Sequence, residues 1–241
     1  MSAKEKIAAF QGFTPETLSF LSEVRSRNSK SWFEDHRSDY EILLLGPMRG
    51  LVGALGGYMM TIDAYFETRP AVGKTISRIY RDTRFSKDKS LFRDHLWFTF
   101  KRPIQEWQDS PGYFFEINPG GYCYGMGFYM ASRETMAAFR KLLDRDAGRF
   151  LKVIVPLREG SPFRVEGDCY KRILAPGKPA ELLEWYQRKN FYLISEHQPD
   201  DSLFGKELAD RLIDDYQKTV PLYHFLWEAI QLKGEKDDHE S

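Results

Sequence analysis

Residues 112–130, GYFFEINPGGYCYGMGFYM, constrain the fold more than any other stretch of the chain. Two aromatic-rich runs flank Asn118-Pro119-Gly120-Gly121. Runs of this kind on either side of a Pro-Gly turn predict an antiparallel β-hairpin. Two more segments have a period of two. TISRIYRD (75–82) predicts a strand with Ile76, Arg78 and Tyr80 on one face and Ser77, Ile79 and Arg81 on the other. HLWFTF predicts a second strand, ended by Lys101-Arg102-Pro103. Short connections place both beside the hairpin in one antiparallel sheet. Gly125 and Gly127, inside the second hairpin strand, predict a close approach there, by an anionic ligand or by the Arg78 and Arg81 side chains.

Helical periodicity brackets these strands. FTPETLSFLSEVRSRN offers Thr14 as cap, Pro15 at the first helical position and a Leu18, Leu21, Val24 stripe. SKSWFEDHRSDYEILLLG sets Trp32, Phe33, His36 and Tyr40 at helical spacing and predicts a stop at Gly46-Pro47, with a third helix from Pro47 to about Tyr65. Beyond the hairpin, SRETMAAFRKLLDRDAG predicts a helix capped by Ser132, followed by a short helix near 149–157. A strand or hairpin in FRVEGDCYKRI, a helix in PAELLEWYQRK and a strand in NFYLISEH come next. A helical pair divided near Pro221 and a frayed tail, 233–241, complete the chain. The order predicts an α+β fold in a single domain over 1–241: N-terminal helices, a central, mostly antiparallel sheet, and C-terminal helices.

Charge excludes some functions and concentrates others. The 35 basic and 35 acidic residues cancel, so no global field draws the chain to nucleic acid or membrane. Residues 78–102 nevertheless carry eight Lys/Arg against three Asp, whereas 201–241 carry ten acidic against five basic residues. The N-terminus lacks the apolar run of a signal peptide, and no uninterrupted apolar segment reaches the roughly 18 residues of a membrane span. Two cysteines, Cys123 and Cys169, fit a reduced cytoplasmic protein. No zinc spacing, nucleotide fingerprint or hydrolase motif is present, and no cofactor or metal is expected.

The local excess of cations peaks in RIYRDTRFSKDKS, residues 78–90. Guanidinium groups are planar, permanently charged forks matched to phosphate and carboxylate, while lysines act as movable point charges. In the ligand-binding reading, Arg78, Arg81 and Arg84 hold an anion, Asp82 orients an arginine, Ser86 contributes a hydroxyl, and Lys87 and Lys89 close over the site. His95, bordering the stretch, is the one histidine placed for acid–base work there. The alternatives are a surface for nucleic acid or an acidic partner, and a purely structural salt-bridge network.

The same stretch, followed by the 112–130 hairpin and the helix beginning SRETMAAFR, resembles the uncharacterised conserved family catalogued as domain of unknown function 2461. GFTPETLSFLSEVRSRNSKSWFEDHRSDYE, GDCYKR and RKNFYLISE are similar to it as well, so the resemblance covers roughly residues 10–220. Arg78, Arg81, Asp82, Arg84, Phe85, Lys87, Asp88 and Lys89 match its motif one by one; Leu91, Phe92 and Arg93 stand where the family usually has a proline, an aromatic and a lysine. The family implies no particular reaction.

Other residues carry weaker signals. Tyr113, Tyr122, Tyr124 and Tyr129 read either as stacking platforms for a base or sugar or as sheet filling. His36 reads as part of a packed helix face, and Cys123 has no histidine partner that would make it a nucleophile. Five neighbouring cations argue against a metal at Asp82 and Asp88.

Overall fold

The computed structural model describes residues 9–84, 87–158 and 160–237, the last four of these as backbone. Helices precede and follow an antiparallel sheet, so the chain is α+β with helices at both ends. The sheet comprises β1 (Leu96–Phe100), β2 (Pro111–Asn118), β3 (Gly121–Phe128), β4 (Arg164–Glu166) and β5 (Tyr192–His197), in the order β1-β2-β3-β5-β4. β2 and β3 are the hairpin read from the sequence; Asn118 Oδ1 closes its turn by accepting from Gly120 N at 2.8 Å. β4 pairs with β5 in the register Arg164–Ile194, Val165–Leu193, Glu166–Tyr192.

Two compact units emerge from the packing: the described residues through Phe100 with Phe114–Tyr124 and Glu196–Ile213, and Lys101–Tyr113 with Gly125–Ser195 and the chain from Asp214. The first contains α1 (Pro15–Arg27), α2 (Lys30–Asp35), α3 (Arg37–Asp39) and α4 (Gly46–Ile62), of which α4 packs on β1. Phe98 stacks on Phe115 at 5.4 Å, Phe13 on Phe115 at 5.9 Å, and Phe33 on Phe92 at 4.2 Å. The second unit is built around α5 (Arg133–Arg145), α6 (Ala147–Val153), α7 (Ala180–Tyr186) and the end of α8 (Glu207–Asp237). There Tyr113 packs edge-on against Tyr216 at 5.0 Å, and Phe150 against Trp185 at 5.5 Å.

Helix boundaries depart from the sequence reading at both internal prolines. The chain does not stop at Gly46-Pro47: a π-helical turn, Tyr40–Leu45, leads directly into α4. Pro47 has no N–H to offer the carbonyl of Leu43, four residues back. Thr17, fully buried on α1, supplies the missing donor through Oγ1 at 2.7 Å, and the same oxygen accepts from Thr14 N at 3.1 Å. Likewise α8 runs unbroken through Pro221. An interior proline costs about 3 kcal/mol, but Tyr216, Leu222, Tyr223, Phe225 and Leu226 are all fully buried, each contributing about 1.5–3 kcal/mol.

Arg37–Ile62 is long and apolar enough by composition to cross a membrane, and half of it is buried inside the fold. Leu44, Met48, Leu51, Val52, Leu55 and Met59 have no exposed surface, which is the behaviour of a core helix.

The strand expected over 75–82 is not a regular strand. The segment joins β1 through the single bridge Ile76–Phe98, and a second bridge, Tyr80–Phe92, pairs it with the chain before β1. The close approach expected at Gly127 exists, with a different occupant. A Cβ there would collide with Tyr192 of β5, so the neighbouring strand, not an arginine or a ligand, fills the space.

Candidate functional site

The reason 75–82 fails to form a continuous strand is a slip in register. Ser77 N donates to Trp97 O and Thr99 N to Thr75 O, both at 2.9 Å. Farther along, Arg93 N donates to Ile79 O at 2.8 Å and Arg81 N to Leu91 O at 2.9 Å. Between these two ladders Arg78 alone faces Asp94, His95 and Leu96. Leu96 is fully buried, so Asp94 and His95 form the bulge. Bulges re-aim side chains and are over-represented beside active sites.

Several charged groups meet at this bulge. Arg78 is exposed, and its guanidinium makes no hydrogen bond or ion pair with any described residue. Asp94 Oδ1 lies 2.9 Å from His95 Nδ1, the proton being assigned to that nitrogen, and Asp94 Oδ2 takes Nε of Arg25 from α1. Burial pushes the Asp94 carboxyl upward, but the bonds from His95 and Arg25 outweigh it and hold the group below its ordinary value. Glu116, on the half-buried face of β2, moves the other way: burial raises its carboxyl, opposed by the charge of His95 and assisted by that of Asp94. His95 therefore stands within electrostatic reach of two carboxyl groups with opposite shifts. Its ring packs on Trp97 at 5.5 Å, and Arg93 lies over the same indole at 5.0 Å.

The basic loop beyond Tyr80 is largely self-bonded. Arg81 pairs with Asp88 and donates to Ser90 Oγ at 2.9 Å. Asp82 forks Arg84, accepting from Nε at 2.9 Å and Nη2 at 2.6 Å. Hydrogen bonding from Arg84 brings the Asp82 carboxyl down to about 2. The Ser90 backbone N–H and hydroxyl, with Arg81, lower Asp88. Lys89 donates to Thr83 O at 2.9 Å, and Lys87 is exposed with no partner among the described residues. Ser86 and Phe85 lie outside the described residues. Arg93 Nη1 donates to the carbonyls of Arg78 and Tyr80, both at 2.7 Å, fixing the backbone that carries Arg78.

Of the residues chosen from the sequence, Arg78 and His95 thus lie on facing backbone segments at the bulge, while Arg81, Asp82, Arg84 and Lys89 close the adjoining loop on itself. Asp94, Glu116 and Asn28 escaped the sequence reading, and Arg93 was noted there only as a departure from the family pattern. Asn28 ends α1 in the left-handed region, with φ 32°, and anchors the far end of the loop. Its Oδ1 accepts from Leu91 N at 2.7 Å and Phe92 N at 3.2 Å, and its Nδ2 donates to Phe92 O at 3.0 Å. The available signal was Glu116 itself, a carboxylate between Phe115 and Ile117 in an otherwise apolar strand.

Tyr113, Tyr122 and Tyr124 are buried in the core, which removes them as stacking platforms; Tyr129 is exposed and lies against Trp107 at 5.5 Å. Tyr122 instead joins a clamp. Its hydroxyl donates to Asp200, Arg211 Nη1 reaches both Tyr122 OH (2.9 Å) and Asp200 Oδ2 (2.8 Å), and Arg211 Nη2 meets His197 Nδ1 at 3.0 Å. Among the described residues no group of three or more His, Cys, Asp or Glu side chains could hold a metal ion.

Fold and site define an α+β protein with an arginine-rich loop lashed to a sheet edge and a histidine bulge beside it. A family model described as Conserved hypothetical protein (DUF2461) matches residues 16–225, and the chain belongs to that family. Comparison with the curated proteins gives no match.

Proposed function

We propose that this protein binds an anionic small molecule, a phosphorylated or carboxylated metabolite, at the Arg78 edge of the sheet, in the cytoplasm. The observation that carries the reading is Arg78: an exposed guanidinium, held on a fixed backbone opposite the Asp94–His95 bulge, with no described carboxylate to neutralise it. Exposed ion pairs such as Asp82–Arg84 are weak and exchangeable, so Arg84 can leave its carboxylate for a ligand at small cost. Lys87, exposed and without a partner among the described residues, adds a charge to the same loop. His95, bonded to Asp94 through Nδ1, adds an imidazole to the same edge. A chain with only two cysteines is in keeping with a reducing compartment.

Thermal-shift screening of phosphorylated and carboxylated metabolites tests the reading. A ligand at a hundred times its dissociation constant adds about 2.7 kcal/mol to the folded state. The shift should appear in the wild type and shrink in Arg78→Ala. Stabilisation by single-stranded DNA alone, fading steeply with salt, would favour the nucleic-acid alternative.

A further inference from the structure

In the second unit, the loop between β4 and α7 carries an exposed apolar pair beside unpaired cations. It reads Tyr170-Lys171-Arg172-Ile173-Leu174-Ala175-Pro176-Gly177-Lys178. Ile173 and Leu174 are 54% and 42% exposed, and Lys171, Arg172, Pro176 and Gly177 are exposed with them. Gln187, the residue that closes α7, holds this loop in place. Its Nε2 donates to the carbonyls of Tyr170, at 2.6 Å, and Arg172, while its Oε1 accepts from Leu174 N at 3.1 Å. Lys178 N donates to Ala175 O at 3.1 Å, closing a turn that has Pro176 in its second position. The backbone is thus fixed on both sides of Ile173. The acids near the loop are already taken. Lys178 and Tyr186 hold Asp144, Arg158 holds Glu181 at 3.2 Å, and Arg188 lies 3.9 Å from Glu184. The side chains of Lys171 and Arg172 make no hydrogen bond or ion pair with any described residue. At the base of the loop, exposed Lys189 lies 5.7 Å from the centre of the Tyr170 ring, and its N–H donates to the carbonyl of exposed Asp168 at 2.7 Å.

We propose that residues 170–178 form a contact loop for an anionic lipid surface, with Ile173 and Leu174 entering the interface and Lys171 and Arg172 among the headgroups. Exposed aliphatic residues are ordinary when they stand singly; here two adjoin, on a backbone already ordered, with cations that lack a countercharge. The net charge of the chain is zero, so the attraction is local to this loop and not a property of the whole molecule. Charge selects a negative partner, and the apolar pair selects one with an apolar interior. A short loop tip suits a bilayer, whose fluid headgroups close around it without a preformed pocket. The long stems of lysine and arginine keep their charges at phosphate level while the neighbouring aliphatic side chains lie deeper. Two aliphatic residues and two cations give weak, reversible attachment, far short of an inserted helix.

The test is co-sedimentation of the whole chain with vesicles of phosphatidylcholine alone and of phosphatidylcholine mixed with phosphatidylserine, at neutral pH. The mixed vesicles should take up more protein, and the preference should fade as salt is raised. Lys171→Gln combined with Arg172→Gln should lower partitioning onto the mixed vesicles by about fivefold for each charge removed. Ile173→Ser combined with Leu174→Ser keeps both cations and should also lower it at low salt, where charge attraction is strongest. All four positions are exposed, so both variants should melt with the wild type, which separates a lost contact from a lost fold. Equal uptake by the two kinds of vesicle, or variants that partition like the wild type, would overturn the proposal. So would retention by immobilised polyglutamate with none by the vesicles, the outcome expected of an acidic protein partner.

Discussion

Asp82 accepts from both Nε and Nη2 of Arg84, at 2.9 and 2.6 Å, within a loop where the two side chains are 56% and 77% exposed. The geometry is the bidentate fork expected of a strong pair, yet the setting is almost bulk water, where such a pair contributes little to stability. Asp82→Ala and Arg84→Ala should each leave the melting temperature within about 2 °C of wild type at neutral pH. A larger loss in both would mean that the motif is a structural network and not a ligand site.

Asn28 carries far more weight than its place at the end of α1 suggests. Asn28→Ala strips the acceptor from two backbone N–H groups, Leu91 and Phe92, and leaves alanine in a left-handed conformation. The expected cost is about 2–3 kcal/mol, seen as a lower midpoint in urea unfolding. Asn28→Asp keeps the accepting oxygen and should lose less. Equal losses would show that the Oδ1 bonds do not hold the loop.

Thr17 and Pro47 form a compensating pair. Thr17→Val should destabilise by about 1–3 kcal/mol, because the Leu43 carbonyl loses its donor. In a Pro47→Ala background the restored N–H can take that carbonyl, so the same substitution should cost less. Additive effects in the double-mutant cycle would contradict the compensation.

Those two residues also mark how far the sequence could be read. The hairpin was legible because period-two aromatics and Asn-Pro-Gly-Gly act locally, and Ser132 capping Thr135 N was legible for the same reason. Pro47 and Pro221 read as stops because their rescue comes from afar, through Thr17 in one case and the burial of Tyr223 and Leu226 in the other. At the site, Arg78 and His95 stood out by residue type and spacing. The register slip that sets them on facing segments did not, since it depends on which backbone groups of 75–81 pair with 91–99. Asp94 and Glu116 were missed with it.

Glu116 gives the bulge a pH signature. Its folded-state value is raised, mainly by burial, so the neutral form is favoured in the fold. Its contribution to stability is complete below the unfolded carboxylate range and is lost as pH rises through the raised folded value. Glu116→Gln, neutral throughout, should gain on the wild type over that window when urea midpoints are compared from about pH 4 to pH 8. A constant difference between the two across the series would mean that Glu116 titrates alike in both states.

The central claim, that an anion is held at Arg78, is tested most directly by calorimetric titration of inorganic phosphate into wild type, Arg78→Ala and Asp82→Ala at low ionic strength. The account expects a single saturable site in the wild type, at least about tenfold weaker in Arg78→Ala, a loss of about 1.4 kcal/mol. Asp82→Ala, which frees Arg84, should bind as well as or better than the wild type. Equal affinity in wild type and Arg78→Ala, or no saturable heat in any of the three folded proteins, would contradict it.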